Sequence, residues 1–385
     1  MFKRDLRRVR VALTSRIFWQ RRCVFLLGAV AVGLASVLFA AAADRGQELY
    51  VAISHEVPYA LLIITPVGFG LFAHLTARYF DGAQGSGIPQ AISARRSNDP
   101  AHRARLLSVK VTLGKVALTI AGLAVGASIG REGPTVQLGC AIMVMLAGFV
   151  GIGRANGLIL AGAAAGIAGA FNTPLAGIMF AIEEMAKGIA GAIFSRGLVA
   201  LSFANSGMIG RLKRTPWLYG GLIGLIVAVL AVTTEGFAGG SGYAPTRDLL
   251  EQGITHPWWY APIKLVTTLL SSAAGIPGGL FSPSLSVGAG FGAALSGLLP
   301  HIDVRALAML GMVAYFAGVV QAPLTAFVIV MEMTNEVHLV VPLLATALLA
   351  AGLSRLLAPE PLYHALSYAY DPKPVSPPPS RPTGS

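Results

Sequence analysis

Uncharged apolar runs recur along the chain. The first, Cys23 to Ala43, is long enough to cross a bilayer by itself, which takes about 20 residues as a helix. Further runs follow at 59–80, 107–129, 135–151, 158–182, 189–208, 217–232, 262–274, 284–299, 306–320, 324–333 and 339–357. Several are too short to span alone and are cut by glycine and proline. In hydrocarbon, a broken helix is tolerated only where its freed backbone groups are buried in protein or line a cavity. The pattern therefore predicts an all-α polytopic membrane protein whose helices break inside the fold. The first run starts too late and is too long for a cleaved leader, although Ala41 to Ala43 has the small residues of a cleavage site.

Composition agrees with this solvent. Hydrophobic residues make up 55% of the 385 and charged residues 12%, a balance foreign to water-soluble domains. The 46 glycines and 23 prolines supply the breaks. Net charge is +12, which in a soluble protein would suggest nucleic acid, but no aromatic-interleaved basic patch accompanies it. Its placement carries other information. Lys3, Arg4, Arg7, Arg8, Arg10, Arg16, Arg21 and Arg22 precede the first run, and the connection 44–59 holds only Arg45. The connection after the second run carries Arg95, Arg96, Arg103, Arg105 and Lys110. By the positive-inside rule this places the N-terminus in the cytoplasm. Residues 1–22 then form a basic cytoplasmic segment, 23–370 the membrane domain and 371–385 a Pro-rich, disordered cytoplasmic tail. Cys23 and Cys140 both fall in apolar runs and are expected in the core, with neither disulfide framework nor metal cluster on offer. No cofactor motif is present either.

The chain repeats itself. Gly130-Arg131-Glu132-Gly133-Pro134-Thr135 lies opposite Gly279-Leu280-Phe281-Ser282-Pro283-Ser284, with Pro134 and Pro283 149 residues apart. Ala168-Gly169, Pro174-Leu175 and Glu183 match Ala317-Gly318, Pro323-Leu324 and Glu332 at the same spacing, as Gly139 matches Gly288. Gly85-Ser86-Gly87 has an echo in Gly240-Ser241-Gly242, displaced by 155. Two halves, about 59–208 and 217–357, are expected to be inverted about the membrane plane, a common plan in transporters.

Three Gly/Pro-rich breaks each precede an apolar run, at 85–89, 130–134 and 278–283. A proline at a first helical position leaves a helix start with unpaired N–H groups and the positive end of the dipole. Several such starts converging at mid-membrane would hold a dehydrated anion without a full positive charge. Taken singly, each break could be a kink or a close-packing site. Glu132, an acid in an apolar region, either caps a helix or does chemical work. The stretch Gly126-Ala127-Ser128-Ile129-Gly130 also has the form of a hydrolase nucleophile elbow, which has meaning only on a strand–turn–helix with His and acid partners.

Gly-Ser-Gly-Ile-Pro at 85–89, Gly-Arg-Glu-Gly-Pro-Thr-Val-Gln at 130–137 and Gly-Gly-Leu-Phe-Ser-Pro at 278–283 resemble, in this order, the anion-pathway signatures of the CLC family of chloride channels and transporters. Ala170 to Gly177, Glu183-Glu184-Met185, Ala322 to Thr325 and Pro361-Leu362-Tyr363 continue the likeness. The resemblance implies chloride transport, by proton exchange or alternatively by a passive channel, in a bacterial inner membrane. It implies an anion site made by the Ser86 and Tyr363 hydroxyls and the Leu280 and Phe281 amides. Glu132 becomes the external gating glutamate and Glu184 the internal proton-transfer glutamate, which channels usually replace. Glu183, matched by Glu332, reads as architectural. Ser86, where proline would favour nitrate, points to chloride. The first signature commonly ends in Glu; here Gln90 stands there and is expected to face the cytoplasm. Between Glu184 and Trp217 relatives carry about 40–50 more residues, at ~20 per span. The missing helix serves their homodimer interface, so weaker dimerisation, or an inactive protein, is the expected cost. Chloride, protons and the lipid bilayer are thus the expected partners.

Overall fold

The computed structural model describes residues 16–150, 155–183, 207–357 and 361–371. The first half contains α1 (Arg16–Glu56), α2 (Leu61–Tyr79), α3 (Ile88–Arg96), α4 (Pro100–Leu106), α5 (Val109–Ala124), α6 (Glu132–Val150), α7 (Ala155–Phe171) and α8 (Pro174–Glu183). The second contains α9 (Gly207–Lys213), α10 (Pro216–Thr233), α11 (Tyr243–Gln252), α12 (Tyr260–Ala273), α13 (Phe281–Ala294), α14 (Val304–Val320), α15 (Pro323–Thr334), α16 (Val340–Leu357) and α17 (Leu362–Ser367). Among the described residues, Phe25–Glu56, Pro58–Tyr79, Pro100–Ala124 and Pro216–Thr233 are long and apolar enough to cross a membrane. Leu26, Val30, Leu34 and Leu38 recur every fourth residue of α1 and are all exposed, the mark of a helix face turned to lipid.

Two elements differ from the sequence reading. α1 does not stop near Ala43 but continues to Glu56, about 60 Å in all at 1.5 Å per residue. No proline interrupts it before Pro58, and its polar final turns are held laterally: Asp44 pairs with Arg131, Gln47 Oε1 accepts from Ser241 N at 2.9 Å, and Tyr50 Oη donates to Gly236 O at 2.9 Å. The run 158–182 is two helices, α7 and α8. Pro174 lacks an N–H and disfavours helical backbone just before it, and Asn172 takes a left-handed φ of 57°. Cys140 is buried as expected, whereas Cys23 is exposed on the uncovered face of α1.

The internal repeat is a physical one. α6 and α7 touch through Gly139 and Gly162, where a Cβ on Gly139 would lie 2.2 Å from the Gly162 carbonyl oxygen. α13 and α14 touch through Gly288 and Gly311 in the same way, with 2.5 Å for a Cβ on Gly288, and each glycine lies 149 residues beyond its counterpart. Small residues let membrane helices approach to backbone contact, where dispersion rather than hydrophobic drive holds them. The halves are joined by α8 and α15. Glu183 accepts from Leu324 N (3.2 Å), Thr325 N (2.6 Å) and Thr325 Oγ1 (2.9 Å) at the start of α15. Glu332 accepts from Leu175 N (3.2 Å) and Ala176 N (2.9 Å) at the start of α8. Each carboxylate thus ends one helix and caps the other, which runs the two helices antiparallel and inverts one half on the other.

Candidate functional site

The three breaks meet at the centre. Gly130 N donates to Gly279 O at 2.7 Å and Gly279 N to Gly130 O at 2.6 Å, a reciprocal bridge between repeat-equivalent residues. Gly85 N donates to Ile276 O and Gly278 N donates to Gly85 O, both at 3.1 Å. Backbones can pass this closely only without side chains: a Cβ on Gly133 would lie 2.2 Å from Ser86 Oγ and 2.5 Å from Ser86 O. Gly87 carries φ 105°, a left-handed turn that swings the chain from Ser86 into α3.

Glu132 opens α6 and is 2% exposed. Its carboxylate does not cap its own helix. It reaches to the start of α13, where Ser282 Oγ donates to Oε1 in a short bond and Ser282 N to Oε2 at 3.4 Å. An anionic side chain therefore sits on the positive end of a neighbouring helix, the place such an end offers to a free anion. A cavity of about 20 Å³, room for a single small particle, touches it between Asp44, Gln47, Arg131, Ser241 and Ser282.

A second and separate cavity, of about 440 Å³, reaches Ser86 and Leu280 and is walled by Asp81, Gln84, Lys213 and Tyr370. Ser86 is 5% exposed, and its hydroxyl has no hydrogen-bond partner among the described residues. A buried donor so placed needs a ligand to offset its desolvation. Leu280 and Phe281 begin α13, where the first amides have no acceptor within the helix. Phe281 is fully buried among aromatic rings, 4.6 Å from Phe316, 5.7 Å from Tyr363 and 6.0 Å from Phe171 and Phe180, centroid to centroid. The fold thus brings Ser86, Leu280, Phe281 and Glu132 to one centre and packs Tyr363, from α17, against Phe281. Glu184 and the short connection after it lie outside the described residues.

Gln90 overturns its expectation. It is fully buried, and Nε2 donates to Gln84 O at 2.5 Å and Gly82 O at 3.1 Å, so it ties down the loop leading to Ser86 instead of facing solvent. The sequence reading also passed over Ser282, Lys115 and Lys264. Both lysines are fully buried: Lys115 Nζ donates to Gly85 O at 3.0 Å, and Lys264 Nζ to Gly239 O and Gly240 O at 2.7 and 2.6 Å. They serve the two Gly-Ser-Gly loops and stand 149 residues apart, the spacing that could have found them. Ser128 is buried against Thr268 Oγ1 at 2.9 Å, and no strand precedes it among the described residues, so the nucleophile-elbow geometry is not formed.

The sequence profile described as voltage gated chloride channel matches residues 68–190 and 186–355. The chain is 30% identical to the H(+)/Cl(-) exchange transporter ClcA of Yersinia pestis bv. Antiqua (strain Angola), over 89% of this chain and 87% of that protein. It is likewise 30% identical to ClcA of Salmonella arizonae, over 88% of this chain and 87% of that one. The Yersinia alignment runs over 422 residues, more than the 385 of this chain, so that relative carries residues missing here. The two profile matches meet at 186–190, inside the short connection. A slow cyanobacterial Cl-/H+ antiporter (23% identical, TM-score 0.73, 90% of this chain and 97% of that one) and a eukaryotic CLC transporter (22%, TM-score 0.76, 91% and 74%) share the fold. With the signature breaks, the repeat and these likenesses in agreement, the chain belongs to the voltage-gated chloride channel family, the CLC proteins.

Proposed function

We propose that this protein exchanges chloride for protons across the bacterial inner membrane, with its N-terminus in the cytoplasm. The observation that carries the reading is the seat of Glu132: a buried carboxylate held by Ser282 at the start of α13, against a small cavity. As a carboxylate it occupies an anion's place. Protonated, it loses its charge and with it most of the attraction of the helix end, so it leaves and chloride takes the position. Each exchange of occupant then moves a proton one way and an anion the other. Ser86, Tyr363 and the amides of Leu280 and Phe281 supply donors to the anion, with no metal or cofactor in the scheme. Glu184, by its match to the family's antiporters, would pass the proton onward.

The test is Glu132→Gln in proteoliposomes. The amide keeps the shape but cannot carry a proton, so chloride flux should continue while chloride-driven proton movement falls to background. Proton pumping by the variant under a chloride gradient would refute the reading.

A further inference from the structure

One wall of the Ser86 chamber is built by the last described turns of the chain. Leu366, Ala369 and Tyr370 line it together with Ser86 and Leu280. These turns close and follow α17, which carries Tyr363, and are pinned to α3, which begins just after the Ser86–Gly87 turn. Asp371, the first residue of the expected tail, makes both ends of the pin. Its Oδ1 accepts from Ser93 Oγ at 2.7 Å and its Oδ2 from Arg96 Nη2 at 2.9 Å. The same Arg96 nitrogen donates to Ser367 Oγ at 2.6 Å, and its guanidinium lies 4.8 Å from the centroid of the Tyr368 ring. Behind them, Ser93 is fully buried with His102 Nε2 at 3.0 Å from its hydroxyl. Tyr370 Oη donates to Gln84 O at 3.0 Å, the carbonyl that Gln90 also holds, two residues before Ser86.

We propose that Asp371, acting through Arg96 and Ser93, is a positioning residue that sets the strength of chloride binding by clamping the Tyr363 helix onto the Ser86 helix. The clamp bridges segments about 280 residues apart in sequence, so neither helix's local propensity can do this work. Three of its bonds, Ser93 to Asp371, Arg96 to Asp371 and Arg96 to Ser367, are charge-assisted, the stronger kind, and arginine's planar fork serves a carboxylate, a hydroxyl and a ring at once. Without it, the chamber wall and the Gln84 carbonyl lose their shared anchor, and the donors on Ser86 and Tyr363 no longer converge on one anion. The inference rests on the exchanger reading above, since it assumes chloride at Ser86.

The experiment compares wild type, Asp371→Ala, Asp371→Glu and Ser93→Ala by chloride calorimetry and by half-saturating chloride and maximal flux in proteoliposomes. Asp371→Ala should weaken chloride binding about tenfold, as expected for losing a charge-assisted contact. It should raise half-saturating chloride in step while leaving maximal flux and coupling ratio within about twofold. Asp371→Glu should recover most of the affinity, which a merely structural loss would not. Ser93→Ala, which removes the hydroxyl's bonds to Asp371 and His102 and keeps the ion pair, should cost a few-fold and remains informative if Asp371→Ala fails to fold. Unchanged chloride affinity in Ser93→Ala and in any folded Asp371→Ala overturns the clamp while leaving the exchanger reading intact. Wild-type protein that binds no chloride overturns both.

Discussion

The reciprocal caps at Glu183 and Glu332 give a sharp test of the architecture. Consider Glu183→Gln. The carboxylate accepts three bonds at the start of α15, two from amides and one from the Thr325 hydroxyl. Glutamine keeps one acceptor oxygen, turns an NH₂ donor toward a donor, and removes the charge that complements the helix dipole. Hydrogen bonds to a charged group contribute about 1.5–3 kcal/mol each, less where water reaches them, and the stranded amide adds its own penalty. A loss of about 2–4 kcal/mol follows. Glu332→Gln should cost less, because Glu332 accepts from two amides and no hydroxyl. α8 is 10 residues long, so the two caps sit about 15 Å apart and the double variant should lose close to the sum. Thermal unfolding in detergent reads this as a drop of about 2–5 °C for Glu183→Gln, scaled for a chain of this length. Chloride flux and proton coupling per folded molecule should stay unchanged. Two results would refute the reasoning. Undiminished stability would mean the caps do not join the halves. Lost coupling at normal stability would place Glu183 on the proton route.

Two further outcomes follow from the centre. Gly133→Ala puts a methyl 2.2 Å from Ser86 Oγ and 2.5 Å from its carbonyl, with backbone unable to yield, so calorimetry should find chloride binding lost or reduced more than about tenfold while the rest of the fold melts within a few degrees of wild type. Gln90→Glu removes the only donors from a buried side chain and sets a carboxylate against the Gln84 and Gly82 carbonyls; a loss of about 1–3 kcal/mol or more in thermal unfolding is expected, and unchanged melting would show that the loop before Ser86 does not depend on this bond.

The sequence by itself determined the solvent, the class and the symmetry. Twenty-odd apolar residues without charge can lie only in a bilayer, breaks at Gly and Pro must be buried there, and a spacing of 149 shared by Pro134, Glu183 and Gly139 with their counterparts marks two copies of one unit. The same rules marked the three glycine-rich helix starts and Glu132, an acid in hydrocarbon, whereas Ser86, Leu280, Phe281 and Tyr363 were singled out by the resemblance to the CLC signatures. Only the tertiary structure decided what each polar group touches. Glu132 could have capped its own helix; it reaches instead to Ser282 on the other half. Gln90 reads as a solvent-facing helix residue until α3 is packed, when it is buried against its own preceding loop. Asp371 reads as the start of a disordered tail until Arg96, some 275 residues earlier, is brought beside it. α1 overran its expected end for a related reason, since Asp44 and Gln47 look like the beginning of a loop until Arg131 and Ser241 take them as partners. A hydrogen bond or ion pair between distant segments depends on which atoms the packed helices place within about 3 Å, and no local pattern of residues encodes that distance.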